Sequence, residues 1–100
     1  MAKSRENLSA VLHTFCDNVY FQPPTNTKLI YPCIIYKLER IGALYADNDP
    51  YRLYDKYSIT YITRDPDDEN IHRLAMLRLC SFDRSYSSDN LHHYAYSIYY

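Results

Sequence analysis

Tyr57-Ser58-Ile59-Thr60-Tyr61-Ile62-Thr63, the end of a run that opens at Tyr51, decides the fold class. Tyr57, Ile59 and Tyr61 fall on one side of an extended chain and Lys56, Ser58 and Thr60 on the other. That is the period-two pattern of a half-buried antiparallel strand. The strand is followed at once by Arg64-Asp65-Pro66-Asp67-Asp68-Glu69. This reads as a helix start: Asp65 as N-cap, Pro66 at the first helical position, and three acids in the first turn, where the helix dipole favours them. The helix is expected to run to about Leu79, burying Ile71, Leu74, Ala75 and the stem of Arg78.

Outward from this strand and helix, the rest of the chain reads in the same terms. On the C-terminal side, Ser81 to Tyr86 reads as a short strand with Phe82, Arg84 and Tyr86 on one side, and Ser87-Ser88-Asp89-Asn90 as a turn. Leu91 to Tyr100 is then a last strand with Tyr94, Tyr96, Ile98 and Tyr100 on one face. On the N-terminal side, Leu8, Val11, Leu12 and Phe15 recur at helical spacing between Ser4, a candidate N-cap, and Cys16. Val19-Tyr20-Phe21 is a strand end or extended arm, closed by Gln22-Pro23-Pro24-Thr25-Asn26, which neither a helix nor a central strand would accommodate. Cys33 to Arg40 is a central strand, continuous in its apolar residues at first and alternating later. Ile41 to Leu53 holds the turn signal Asp47-Asn48-Asp49-Pro50 and reads as a projecting hairpin or a long loop.

The expected fold is therefore α+β: a mainly antiparallel sheet of four to five strands, two helices packed on one face, and the projecting segment. The whole chain, residues 1–100, forms one domain, because a second core would leave each half too small to outweigh chain entropy. An apolar fraction of 47% with 23% charged residues fits a packed core rather than a disordered chain. Tyrosine is unusually abundant, 13 of 100 residues, with no tryptophan and a single glycine, Gly42. A ring with an apolar body and a polar tip favours sheet faces and interfaces, so this composition fits either surfaces meant to be covered or simply a tyrosine-rich sheet.

Chemistry finds little support in the sequence. Net charge is −1, with Lys and Arg scattered among the acids, which argues against gripping a phosphate backbone as the main task. Cys16, Cys33 and Cys80 are odd in number and far apart, and read as free thiols in a reducing compartment. His92 and His93 are neighbours on a strand and point to opposite faces, a poor arrangement for one metal ion. The acids from Asp65 to Glu69 lack the glycine of a calcium loop and are accounted for by helix capping. No phosphate-cradling glycine motif is present. No catalytic, cofactor or metal site is expected. The segment from Met1 to Phe15 has a basic start but too short an apolar run for a signal peptide, and no stretch approaches a membrane span; the expectation is assembly in the cytoplasm without membrane contact.

Asn18-Val19-Tyr20-Phe21-Gln22-Pro23-Pro24, Tyr31-Pro32-Cys33-Ile34-Ile35-Tyr36, Tyr45-Ala46-Asp47-Asn48 with Pro50-Tyr51, and Cys80-Ser81-Phe82-Asp83-Arg84 are arranged in an order that resembles the small tail-completion proteins of tailed bacteriophages, the tail-terminator and tail-to-head joining group. The resemblance implies a compact α+β fold with two helices on one sheet, and a structural virion protein without catalysis. The resemblance further implies that its copies form a ring, commonly a hexamer, at the head-proximal end of the tail, terminating the tail or joining it to the head connector. Partners implied are further copies of the chain, the tail tube protein, and the connector or neck protein, with DNA passing through the lumen without specific binding. Ring contacts are heterologous, so Leu44, Tyr45, Asp47, Asn48 and Tyr51 of the projecting segment and Tyr96 and Tyr100 of the last strand are the expected interface residues. A neck or adaptor subunit on the connector side, and a small phage regulatory protein that binds a host protein, are the alternatives.

Overall fold

The computed structural model describes residues 5–46 and 49–100, with side chains described for residues 5–42 and 55–100. Seven elements follow one another: α1 (Arg5–His13), β1 (Val19–Phe21), β2 (Cys33–Ala46), β3 (Asp49–Thr63), α2 (Asn70–Ala75), β4 (Cys80–Ser88) and β5 (Leu91–Tyr99). The strands form one sheet in the order β1-β2-β3-β5-β4. Every neighbouring pair is antiparallel except β1 and β2, which run parallel with Val19 opposite Ile34 and Phe21 opposite Tyr36. The fold is thus α+β, with five strands and two helices among the described residues.

Alternation places the core. Tyr36 faces Ile59 and Ile59 faces Tyr96 across the three central strands, while Ile34, Tyr61 and Tyr94, and Leu38, Tyr57 and Ile98, make the flanking rows. Ile34, Tyr36, Tyr57, Ile59, Tyr61, Tyr96 and Ile98 are buried, and Leu8 and Leu12 of α1 and Leu74 of α2 belong to the same buried cluster. The helical spacing of the first segment and the alternation of β3 and β5 therefore select the residues that pack. Among the described tyrosines, Tyr36, Tyr57, Tyr61 and Tyr96 are buried and Tyr94 and Tyr100 pack against the core, whereas Tyr86 and Tyr99 are exposed. A tyrosine-rich sheet, rather than a tyrosine-covered surface, accounts for most of the described rings.

The β1–β2 pair is parallel because the loop of residues 22–32 carries the chain back along the sheet before β2 begins. Gln22 stops β1 by adopting φ 44°, and its N–H donates to the Tyr36 carbonyl at 3.0 Å. Its side-chain oxygen accepts the Leu38 N–H at 3.2 Å, standing in for the strand residue that would otherwise lie there. The Asn18 amide donates to the Pro32 carbonyl at 3.2 Å and the Tyr20 hydroxyl accepts the Ile30 N–H at 3.4 Å, which tie the C-terminal end of the loop to β1 and the residue before it.

Beyond Cys33 to Arg40, where a strand is expected, β2 continues to Ala46. It stays paired with β3, with register shifts at Leu38/Arg40 and at Leu44/Tyr45. β3 begins at Asp49, and its pairing with β5 reaches only from Thr63 to Lys56. Strands of 14 and 15 residues, at about 3.4 Å per residue, account for a molecule whose longest dimension is 51 Å against 28 and 22 Å for the others. Of the turn signal Asp47-Asn48-Asp49-Pro50, Asp47 and Asn48 lie outside the described residues, as does the Ser4 N-cap, while Asp49 and Pro50 open β3 opposite Ala46 and Tyr45.

Two sequence expectations need correction. The helix expected from Asp65 to Leu79 is a six-residue α2 from Asn70 to Ala75, whose N-cap is Glu69 without a side-chain cap bond and whose first turn holds no acid. The acids make turns instead. The Asp65 carboxylate accepts the Asp67 N–H at 2.9 Å and the Asp68 carboxylate the Asn70 N–H at 2.9 Å, bonds that compete with helix nucleation. Asp68 is also held from β3 by the Tyr61 hydroxyl at 2.5 Å and the Thr63 hydroxyl at 3.4 Å, so it cannot enter the helix as a first-turn residue. At the other end Leu79 takes φ 60° and turns the chain into β4, and Arg78 is exposed. Ile71, Leu74 and Ala75 do pack on the core, as their spacing predicts.

The second correction concerns β4. Phe82 pairs with Tyr96 but Arg84 with Ala95, a bulge at Asp83 that gives one strand an extra residue. Phe82 therefore lies on the core side, its ring 5.5 Å from that of Tyr96, while Arg84 and Tyr86 point to the opposite side, where Tyr86 stacks on His93 at 4.7 Å. Asp83 accepts the Ser97 hydroxyl at 2.5 Å, a bond that anchors the extra residue. The turn to β5 is a two-residue connection, Asp89-Asn90, with both φ values positive at 52° and 63°. This is the backbone that Asp and Asn tolerate and that matches strand twist.

Candidate functional site

The residue clusters that carry chemistry elsewhere are tied into the fold here. The three thiols are free. Cys16 lies 3.1 Å from the Pro32 carbonyl and 3.6 Å from that of Asn18. Burial raises it above the ordinary thiol range, and burial likewise pushes Cys33 up to about 12 and Cys80 up to about 11. Thiols held protonated are weak nucleophiles and weak ligands. The His92 ring nitrogen sits 3.1 Å from the Ser87 hydroxyl. The Nδ1 of His93 is buried and makes no hydrogen bond among the described residues, behind the Tyr86 ring. Cys80 pairs with Ile98, several residues along β5 from both imidazoles, so the three are not brought together. Among the described residues no three His, Cys, Asp or Glu side chains stand where they would share a metal ion, and no helix is long and apolar enough to cross a membrane.

The cations are spread over the molecule on its own rings. Arg5 lies 4.5 Å over Phe21, Arg73 5.1 Å over Phe15, Arg64 5.7 Å over Tyr31 and Arg84 5.8 Å over Tyr86. Such placements give each of these four guanidinium groups a local partner.

The residues expected at an interface divide into three groups. Leu44 and Tyr45 lie in β2, opposite Arg52 and Pro50, and Tyr51 lies in β3 beside the Leu44/Tyr45 register shift; their side chains are outside the described set. Asp47 and Asn48 lie outside the described residues altogether. Tyr96 is 1% exposed, and its hydroxyl donates to the Ile71 carbonyl at 2.6 Å, so its ring is fixed between β5 and α2 and offers no surface. Tyr100 is partly buried against the core cluster. For Tyr96 the expectation is corrected: the alternation that marks it as aromatic and face-forming also marks it as core.

Sequence reasoning missed the outer edges of the sheet. β4 is an edge strand, and Ser81 to Asn90 are all exposed. At the other edge β1 covers β2 only from Ile34 to Tyr36, and past the Gln22 cap on Leu38 no described strand lies along the outer side of β2. Large apolar side chains left exposed include Phe82 and Tyr86 of β4 and Leu38 and Ile41 of β2; the others are Ile30 in the loop before β2, Met76 at the end of α2, Leu79 just before β4 and Tyr99 of β5. The shortness of Val19-Tyr20-Phe21 beside the long apolar run after Cys33 is the signal from which the second edge was legible. At the β1/β2 edge, next to the β1 turn, Gln22, Pro23, Leu29, Ile35, Lys37 and Leu38 line an open groove. Comparison with known proteins finds no matching family model, no matching curated protein and no matching solved structure.

Proposed function

We propose that this chain is a structural virion protein of a tailed bacteriophage, a subunit of a homo-oligomeric ring that ends the tail at its head-proximal side or joins it to the head connector. The observation that carries the reading is the sheet with two unlike open edges, each flanked by exposed apolar side chains. Groups of this kind are satisfied by strands of another chain, and unlike edges at opposite ends of one sheet suit head-to-tail rings rather than two-fold pairs. Two further supports are the resemblance of four segments to tail-completion proteins and the agreement of the α+β fold with what that resemblance implies. The scattered, ring-paired cations suit a lumen that lets a phosphate backbone pass without holding it.

The ring reading is tested by native mass spectrometry of the purified chain over a concentration series, alone and with isolated tail tubes. The expected result is a closed ring of defined copy number that caps one end of the tube. A chain that stays monomeric at every concentration and ignores the tube overturns the reading in favour of a regulatory protein acting on a host partner. A ring that binds connector but not tube moves it to the neck.

A further inference from the structure

The groove beside the β1 turn is built by a strand and a loop. β2 supplies Ile35 and Lys37, which share the sheet face opposite the core residues Ile34 and Tyr36, together with Leu38. The loop after β1 supplies Pro23, Pro24 and Leu29. Its shape is set in the absence of any ligand. The Gln22 N–H donates to the Tyr36 carbonyl at 3.0 Å and the Thr27 N–H to the Pro24 carbonyl at 3.0 Å, while each proline ring fixes its own φ. The volume, about 610 Å³, is that of a small-molecule site, and a mostly apolar lining with few polar groups is the usual composition of one.

Two observations narrow the occupant. A strand cannot add along this part of β2, because β1 pairs with it from Ile34 to Tyr36 and the Gln22 side chain takes the Leu38 N–H at 3.2 Å. Binding here therefore runs through side chains. The lining holds one charged residue, Lys37, which is exposed and has no ion pair among the described residues; Glu39, two positions along, is engaged by Lys56 at 3.6 Å. A cation beside an apolar groove, unneutralised by a described carboxylate of its own chain, complements an anion carried on an apolar body. We infer that this groove binds a small amphipathic carboxylate, with its apolar part against Pro23, Leu29, Ile35 and Leu38 and its carboxylate on the Lys37 ammonium. The site does not depend on the ring reading, since every residue it uses comes from one copy of the chain.

The test is a saturation-transfer NMR titration of the full chain with octanoate, octan-1-ol, octylammonium and acetate, a method that reads weak binding at any oligomeric size. Octanoate is expected to bind saturably. Octan-1-ol and octylammonium are expected to bind at least about threefold more weakly for want of the ion pair, and acetate at least about tenfold more weakly for want of apolar contact. Lys37→Met is expected to lower octanoate to the level of octan-1-ol while leaving octan-1-ol unchanged, and Lys37→Glu to reverse the order, with octylammonium above octanoate. Lys37 is exposed, so both variants are expected to keep the wild-type melting profile. Absence of saturable octanoate binding, equal binding of octanoate and octan-1-ol, or acetate as good as octanoate overturns the site. A preference for octanoate that survives in folded Lys37→Glu overturns its placement in this groove.

Discussion

Replacing Asp68 by alanine removes the bonds that tie the start of α2 to β3. The Asp68 carboxylate accepts the hydroxyl of Tyr61, a fully buried residue, at 2.5 Å, that of Thr63 at 3.4 Å, and the Asn70 N–H at 2.9 Å. Asn70 in turn donates to the Phe15 carbonyl at 3.0 Å, so the start of α2 is placed by Asp68 and fastened to the chain after α1. Two of the three bonds to the carboxylate are well formed, and the third is long. A hydrogen bond to a charged group contributes about 1.5–3 kcal/mol, and a buried hydroxyl left without a partner costs about 1–3 kcal/mol. Asp68→Ala is therefore expected to destabilise the fold by about 3 kcal/mol, which for a domain of this size lowers the melting temperature by more than about 10 °C. Tyr61→Phe removes the hydroxyl together with its need for a partner and is expected to cost about 1–2 kcal/mol. Chemical denaturation of the two single variants and the double variant closes a cycle, with a coupling energy of about 1–2 kcal/mol expected between residues in direct contact. A loss below 1 kcal/mol for Asp68→Ala, or additive effects in the cycle, refutes the view that this carboxylate fixes where α2 begins.

Three further outcomes follow from the same structure. Alkaline pH should destabilise the protein. Burial lifts Cys33 from the ordinary 9.0 to about 12 and Cys80 to about 11, and raises Tyr57, Tyr61 and Tyr96 above their ordinary value of 10.0. These groups stabilise the fold fully below pH 9 and lose that contribution as pH rises toward their folded values, because the unfolded chain gives up the protons first. Urea midpoints between pH 8 and pH 11 should fall steadily, and a flat profile contradicts the burial of these groups. Leu79→Gly should raise monomer stability by about 0.5–1 kcal/mol, since a left-handed φ of 60° is strained for leucine and free for glycine, while weakening assembly because Leu79 is 61% exposed beside β4; thermal melts and native mass spectrometry read the two effects separately. Tyr96→Phe should cost about 1–1.5 kcal/mol by leaving the Ile71 carbonyl without its 2.6 Å donor, with no effect on self-association because the ring is buried; a loss of assembly in folded Tyr96→Phe would place that ring at an interface after all.

Local pattern was enough to name most elements and their inner faces. Leu8 and Leu12 share one face of α1 because a helix returns every 3.6 residues, and Tyr57, Ile59 and Tyr61, like Tyr96 and Ile98, share one face of the sheet because a strand alternates every second residue. These periods are properties of the backbone, so the sequence carries them without knowledge of neighbours. The candidate edges were far less legible. A strand's burial shows in its own residues, but whether it lies at an edge depends on the strand placed beside it, and nothing in Cys80 to Ser88 alone states that β5 covers one side and nothing described covers the other.

Tertiary structure decided the remainder through bonds made from one segment of the chain to another. Asp65-Pro66-Asp67-Asp68-Glu69 has every local mark of a helix start, yet Asp68 is captured by Tyr61 and Thr63 and the helix waits until Asn70. The Phe82, Arg84 and Tyr86 series keeps its period in the sequence, but the bulge at Asp83, held by Ser97 on the adjacent strand, sends Phe82 to one side and the other two to the opposite side. β1 runs parallel to β2 because Gln22 and the loop of residues 22–32 return the chain along the sheet. In each case the local options differ by only about 1 kcal/mol, and one or two hydrogen bonds formed outside the segment itself are enough to choose between them.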